Sequence, residues 1–246
     1  MKKFILAVLC FALTIPAAAM SAGPIMKVPD IQIIAHRGAS GHQPENTLNA
    51  FRYATALGNK FFETDVQMTK DGVLVLIHDY KYQGNIIKDT AQSKLNLTTL
   101  KSLLDYLPED AALNIEIKND GGIYPGIETA VMDMLNGYGE KFKSKIVISS
   151  FDYPTLQRVR ALDAKIKIGV LMRSFDIDAA DALDAYSVNM SKDIVTKKIV
   201  KEAHAHGMKV FVYTVNSYSK IVKLDKMGVD GVFSDYPDIL MTNVEL

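Results

Sequence analysis

Two hydrophobic periods alternate along most of this chain. Short apolar runs of strand length, rich in β-branched and aromatic residues, fall at Ile31–Ala35, Phe61–Val66, Leu113–Lys118, Ile146–Ser150, Ile166–Leu171, Ala185–Val188, Val210–Thr214 and Gly231–Phe233. Between them, apolar residues at helical spacing predict helices over Leu48–Leu57, Ile127–Leu135, Tyr153–Ala161, Thr196–His206 and Tyr218–Met227. Gly58, Gly207 and Gly228 stand where helices give way to strands and suit a left-handed helix end. Pro154 and Pro237 suit first helical turns, and Asp152 and Asp235 before them suit N-caps. Eight strand-like runs joined by helices is the count for a TIM (β/α)8 barrel of the α/β class. A doubly wound open sheet is the rival, because strand count alone does not close a barrel. An extra strand, Val73–Ile77, follows Lys70-Asp71-Gly72, so Asp71-Gly72 predicts a hairpin after the second strand. Tyr80–Ser93 reads as a polar loop. No linker or second domain interrupts residues 23–246.

The first residues break the pattern. Lys2 and Lys3, the apolar stretch Phe4–Ile15 and the small residues Ala17-Ala18-Ala19 have the layout of a signal peptide over residues 1–22. The apolar stretch is too short for a membrane anchor, which needs roughly 20 residues. An exported protein, periplasmic or secreted, is expected, with no stable membrane insertion after cleavage. The single cysteine, Cys10, lies in this segment behind the bulky Leu9, which argues against lipid modification and leaves the mature chain without disulfides. The chain has 28 Lys+Arg and 28 Asp+Glu. Removal of Lys2 and Lys3 leaves 26 against 28, a net charge of −2, and nothing in that balance points to nucleic acid.

The candidate chemistry lies in the first three strands. Residues two apart in a strand face one side, so Glu63 and Asp65 point together, as do Glu116 and Lys118. Their neighbours Phe62, Val66, Ile115 and Ile117 are apolar, and charges embedded in such sequence are costly unless paired or metal-bound. Two readings of Glu63 and Asp65 stand at this point: a buried salt bridge to Arg37 or Lys118, or a hard-oxygen metal site with Glu116. In the second reading the ion is Ca²⁺ or Mg²⁺, with Mn²⁺ also admitted and zinc disfavoured. His36 and His78 each end an apolar run and each precede a charged residue, a pattern that suits a general acid and a general base. Arg37 and Lys118 add the positive charge that a phosphate group would require. His204 and His206 read as solvated residues at a helix end, and His42 as a loop residue near the mouth. Neither a P-loop nor a Gly-x-Ser-x-Gly elbow is present.

The ordered set His36-Arg37-Gly38-Ala39, Pro44-Glu45-Asn46-Thr47, Glu63-Thr64-Asp65-Val66, Thr69-Lys70-Asp71-Gly72, His78-Asp79 and Leu113-Asn114-Ile115-Glu116-Ile117-Lys118 resembles the glycerophosphodiester phosphodiesterase family. Tyr213-Thr214-Val215-Asn216 and the closing segment Asp230–Pro237 extend the resemblance across nearly the whole mature chain. It implies a TIM barrel that hydrolyses small-molecule glycerophosphodiesters to glycerol 3-phosphate and an alcohol. His36 and His78 would be the acid–base pair, Glu63, Asp65 and Glu116 would hold one divalent cation, and Arg37 and Lys118 would contact phosphate. Glu45 and Asn46 match the family motif but read as structural at the first helix start, with Thr47 or Asn46 as cap. The family insertion after His-Asp is reduced here to a short loop beginning Tyr80-Lys81-Tyr82-Gln83-Gly84, which opens the cleft on one side. Tyr213, where the family often has tryptophan, and Phe151 would form an aromatic wall. A lysophospholipase D-like or sphingomyelinase D-like enzyme acting on larger lipid diesters is the alternative. A sugar-phosphate lyase or isomerase, and a non-catalytic binding protein on the same fold, stand further off, since the complete polar set suits neither.

Overall fold

The computed structural model describes residues 29–242; the signal segment expected at residues 1–22 and the single Cys10 lie outside them. Eight parallel strands close into a barrel: β1 (Gln32–Ala35), β2 (Phe61–Met68), β3 (Ala112–Ile117), β4 (Ile146–Ser150), β5 (Lys167–Met172), β6 (Ser187–Ser191), β7 (Lys209–Tyr213) and β8 (Gly231–Ser234). β1 pairs with β8 on one side and with β2 on the other, through Ala35 opposite Phe62, and this closure removes the open sheet from consideration.

Alternation along the strands separates two cores. Phe62, Ile115, Ile148, Ile168, Val188 and Val212 point outward and pack with helix residues such as Leu103, Val131, Leu156 and Ile221. Residues of the opposite parity fill the lumen, where Ile34, Phe61, Val147, Phe211 and Phe233 form an apolar plug. Buried polar residues share this lumen: Asn114 donates to Ser149 Oγ at 2.8 Å, and Ser187 donates to Asn189 Oδ1 at 2.9 Å. Gly169 makes room for Asn189, since a Cβ there would sit 2.8 Å from its Nδ2.

Helix starts follow local chemistry. Thr47, Asp152, Thr196 and Ser217 each accept a backbone N–H three residues on, and they open helices at Leu48–Ala56, Tyr153–Leu162, Lys197–Ala205 and Tyr218–Met227. Gly58, Gly207 and Gly228 all have positive φ at helix ends, as their placement predicts.

Three segments differ from the sequence reading. The sixth strand is Ser187–Ser191 rather than Ala185–Val188: Ala185 still closes the preceding turn onto Ala180, while Ser187 and Asn189 face the lumen and hide the strand from an apolar pattern. Tyr80–Ser93 is not simply a polar loop. It holds a small hairpin, Lys81–Tyr82 with Asn85–Ile86, turning on Gln83 (φ 48°) and Gly84 (φ 82°). Ile87 just beyond the hairpin is buried with Val75, Ile77 and Leu95 in a satellite core. Asp235 caps no helix: the last one is Ile239–Thr242, and the Asp235 carboxylate turns toward His36 instead. The expected hairpin after β2 is present, with Leu74–Leu76 antiparallel to Val66–Met68.

Candidate active site

His36 and Arg37 follow β1, Glu116 and Lys118 close β3, Glu63 and Asp65 lie within β2, and His78 follows the hairpin strand Leu74–Leu76, so the charged candidates gather toward the C-terminal face of the barrel, the end that carries catalysis. Register brings them together. Asp65 sits directly opposite Glu116 on β2 and β3, and Glu63 lies two residues before Asp65 on the same face. One carboxylate oxygen from each of Glu63, Asp65 and Glu116 lies within 4.8 Å of the other two.

Three acids this close repel one another, and burial sharpens the repulsion. Burial, followed by the charges of Asp65 and Glu116, pushes the Glu63 carboxyl well above the usual carboxylate range. Burial and Asp65 push Glu116 up to about 7. Two cations reach the cluster and offset this repulsion only in part. Lys118 Nζ donates to Glu116 at 3.0 Å. Arg37 Nε stands 3.0 Å from Asp65 Oδ2 without its N–H aimed along that line, so the contact is an ion pair rather than a hydrogen bond. Both readings of the acids thus have a structural counterpart. The ion pairs are to Asp65 and Glu116, whereas Glu63 accepts from the Arg37 backbone N–H at 2.9 Å and makes no ion pair among the described residues. An all-oxygen donor set that is still short of positive charge fits a hard divalent cation.

The β1–helix connection aims Arg37. Arg37 itself has φ 55°, and Gly38 follows at φ 80° with its Cα pressed against the first helix; a Cβ there would lie 2.7 Å from the Ala50 carbonyl carbon. Asn46, also left-handed at φ 56°, is not a cap; that role is taken by Thr47. Asn46 is buried, donates to Asp65 Oδ2 at 3.0 Å and accepts from Thr64 at 2.7 Å. Glu45 holds the far end of Arg37 at 2.8 Å. Burial works against the Arg37 charge, and Asp65 and Glu63 more than offset it, so the guanidinium stays protonated.

The histidines face one cavity from different supports. His36 Nδ1 lies 2.6 Å from Asp235 Oδ1. Asp235 also accepts from Ser40 Oγ at 2.9 Å and from Asn216 Nδ2 at 2.6 Å. Burial tends to raise the Asp235 carboxyl, but the bonds from His36, Asn216 and Ser40 outweigh it and lower it to about 2. An ionised Asp235 only accepts, so His36 carries its proton on Nδ1 and keeps Nε2 for chemistry. His78 Nδ1 is 2.8 Å from Asp79, in an exposed pair. Below it, buried Gln67 donates to the carbonyls of Ile77 and His78 at 3.1 and 3.0 Å and accepts from Tyr124 Oη at 2.6 Å. Sequence reading passed over Asp235, Asn216, Gln67 and Tyr124. For Asp235 and Asn216 the closing segments of the family resemblance were the signal; for Gln67 it was a polar residue in an otherwise buried strand.

The cavity has a volume of about 210 Å³, and His36, Arg37, Glu63, His78, Glu116 and Lys118 line it together with Phe151 and Tyr213. The two rings meet edge to face, 5.9 Å between centroids. Tyr213 Oη donates to the Met172 carbonyl at 3.1 Å, and burial pushes the phenol up to about 12, so it stays protonated. The remaining histidines stand apart: His42 pairs with Asp238, His204 with Asp230 and His206 with Asp181, and none of the three lines the cavity.

Fold and site together define a (β/α)8-barrel enzyme whose cavity joins a cluster of acids to two histidines and two positive charges. Comparison with known proteins gives the family. The sequence profile of the glycerophosphoryl diester phosphodiesterase family matches residues 36–104 and 81–239. A glycerophosphodiester phosphodiesterase of Caldanaerobacter subterraneus subsp. tengcongensis is 31% identical over 237 residues, covering 86% of this chain and 97% of that protein. Among solved structures, an Oleispira antarctica phosphodiesterase in complex with its product sn-glycerol-3-phosphate superposes with a TM-score of 0.75 at 27% identity, covering 86% of this chain and 96% of that one. The glycerophosphodiester phosphodiesterase of Thermotoga maritima gives a TM-score of 0.71 at 25% identity, over 86% of this chain and 97% of that one. This chain belongs to the glycerophosphoryl diester phosphodiesterase family, and so to the phosphoric diester hydrolases.

Proposed function

We propose that this chain hydrolyses glycerophosphodiesters, the deacylated forms of phospholipids, to glycerol 3-phosphate and an alcohol, using His36 and His78 as the acid–base pair beside a divalent cation. The observation that carries the reading is the convergence of His36, His78, Arg37, Lys118, Glu63 and Glu116 on one cavity of about 210 Å³, with Asp65 beside Glu63 and Glu116. Glu63, Asp65 and Glu116 would hold Ca²⁺ or Mg²⁺, which when bound supplies positive charge against the negative charge developing on the phosphoryl oxygens. Arg37 and Lys118 contact the same phosphate and hold it in line for attack. One imidazole takes a proton from the attacking oxygen, either water or the glycerol 2-hydroxyl. As the bond from phosphorus to the leaving oxygen breaks, the other imidazole protonates that oxygen. His36 has Nδ1 held by the Asp235 carboxylate, which leaves its Nε2 for these transfers, while His78 meets Asp79 in an exposed pair.

The test is a panel of glycerophosphodiesters and lysophospholipids assayed with Ca²⁺ and Mg²⁺ in parallel, with released glycerol 3-phosphate read by a coupled dehydrogenase. Metal-dependent release that EDTA abolishes is expected. Activity confined to lysolipid micelles would transfer the chain to the lysophospholipase D-like reading. The basic and apolar start of the chain supports action outside the cytoplasm, in the periplasm or secreted, and N-terminal sequencing of the exported protein checks it. Among the described residues no helix is long and apolar enough to cross a membrane.

A further inference from the structure

The aromatic corner of the cavity carries a cation of its own. Phe151 and Tyr213, at right angles, have the form of the start of an aromatic cage, the arrangement that binds quaternary ammonium groups. One position in it is already taken. Arg173, immediately beyond the end of β5, places its guanidinium carbon 4.4 Å from the centroid of the Phe151 ring. It is exposed and makes no ion pair among the described residues, so its charge is not cancelled by a neighbouring carboxylate. That charge is also felt at Tyr213, whose phenol it acts to lower. Arg37 and Lys118 are committed to Asp65, Glu45 and Glu116, whereas Arg173 is exposed over the Phe151 ring of the cavity wall and makes no ion pair among the described residues.

We propose that Arg173 is a specificity-determining residue that selects diesters whose arm at the Phe151–Tyr213 wall carries an anionic group and disfavours those carrying a quaternary ammonium. The inference rests on the hydrolase reading above and adds the substrate class. A trimethylammonium group brought to this corner would meet a like charge and a ring whose quadrupole is already engaged, while a phosphate or carboxylate would meet an uncommitted guanidinium.

A charge series tests it: glycerophosphocholine (cationic arm), glycerophosphoglycerol (neutral arm) and bis(glycerophospho)glycerol (an arm bearing a second phosphodiester). The wild type should show kcat/KM highest for the anionic arm and lowest for the cationic arm. Arg173→Gln should lower the ratio of anionic to cationic substrate by about tenfold, the order of one unit charge acting near a partly solvated site. Arg173→Lys should retain most of the ratio, Arg173→Glu should invert it, and raised salt should compress it in the wild type. A purely structural role would change all three substrates alike, and an unchanged ratio in Arg173→Gln overturns the selectivity while leaving the hydrolase reading in place. Absence of turnover on all three by the wild type overturns the hydrolase reading, and the selectivity falls with it.

Discussion

The two histidine corners of the cavity are built on opposite plans. His36 is mostly buried, and its imidazole is held side chain to side chain: Asp235 fixes Nδ1, and Ser40 and Asn216 fix Asp235. His78 is half-open, and its side-chain partner Asp79 is 78% exposed, too solvated to hold a ring firmly. Its support reaches the backbone instead, through the buried Gln67–Tyr124 pair beneath its carbonyl. One corner therefore orients the ring and its tautomer, while the other orients the loop and leaves the ring free to turn.

Replacement of either ring should break both corners equally. His36→Ala and His78→Ala are each expected to lower kcat by about 10²–10⁴-fold, the usual worth of one acid–base group, with cooperative unfolding retained. The supports should separate the corners. Asp235→Asn removes a charged hydrogen bond worth about 1.5–3 kcal/mol, so a roughly ten- to hundredfold loss in kcat is expected. Asp79→Asn, in an exposed pair worth about 0–1 kcal/mol, should cost no more than about fivefold. Equal losses in the two variants would erase the distinction. Gln67→Leu should slow turnover and also destabilise the fold by about 1–3 kcal/mol, because two carbonyls lose their buried donor. Denaturant unfolding, run beside the assay, would show both effects.

The acid cluster and Asp235 should respond to pH in opposite directions. The carboxyl of Glu116 is raised from 4.5 to about 7 and that of Glu63 is also raised, so without metal the folded protein binds more protons than the unfolded chain. The contribution of Glu116 is thus fully present below 4.5 and is lost as pH rises through about 7, and that of Glu63 is likewise lost as pH rises. Asp235 is lowered from 3.8 to about 2, so its contribution is present above 3.8 and is lost as pH falls through about 2. Ca²⁺ or Mg²⁺ must displace the protons on the cluster, and affinity should therefore climb up to about pH 7. Calorimetric titration in two buffers of different ionisation heat would register the released protons; no buffer dependence near pH 6 would contradict the assignment. The smallest expected effect is local: Thr47→Ala should cost about 1 kcal/mol of stability through the lost helix cap, with little change in kcat.

Much of this architecture could be read without coordinates, because it rests on short-range rules. The two periods separate strands from helices, glycines and capping residues mark the joins, and residues two apart share a strand face. Those rules were enough to order the barrel and to pair Glu63 with Asp65 and Glu116 with Lys118. They failed at β6, where lumen-facing Ser187 and Asn189 interrupt the apolar signal, and in the segment after His78, where Ile87 is buried among mostly polar neighbours. Other features depend on contacts between distant parts of the chain. The register that sets Asp65 opposite Glu116, the left-handed Arg37 that reaches Asp65, and the bond from His36 to Asp235 across 199 positions are such contacts. Local periodicity carries no information on which partner a carboxylate meets after the barrel closes. That is why Asp235 reads as a helix cap in the sequence and becomes the anchor of His36 in the fold.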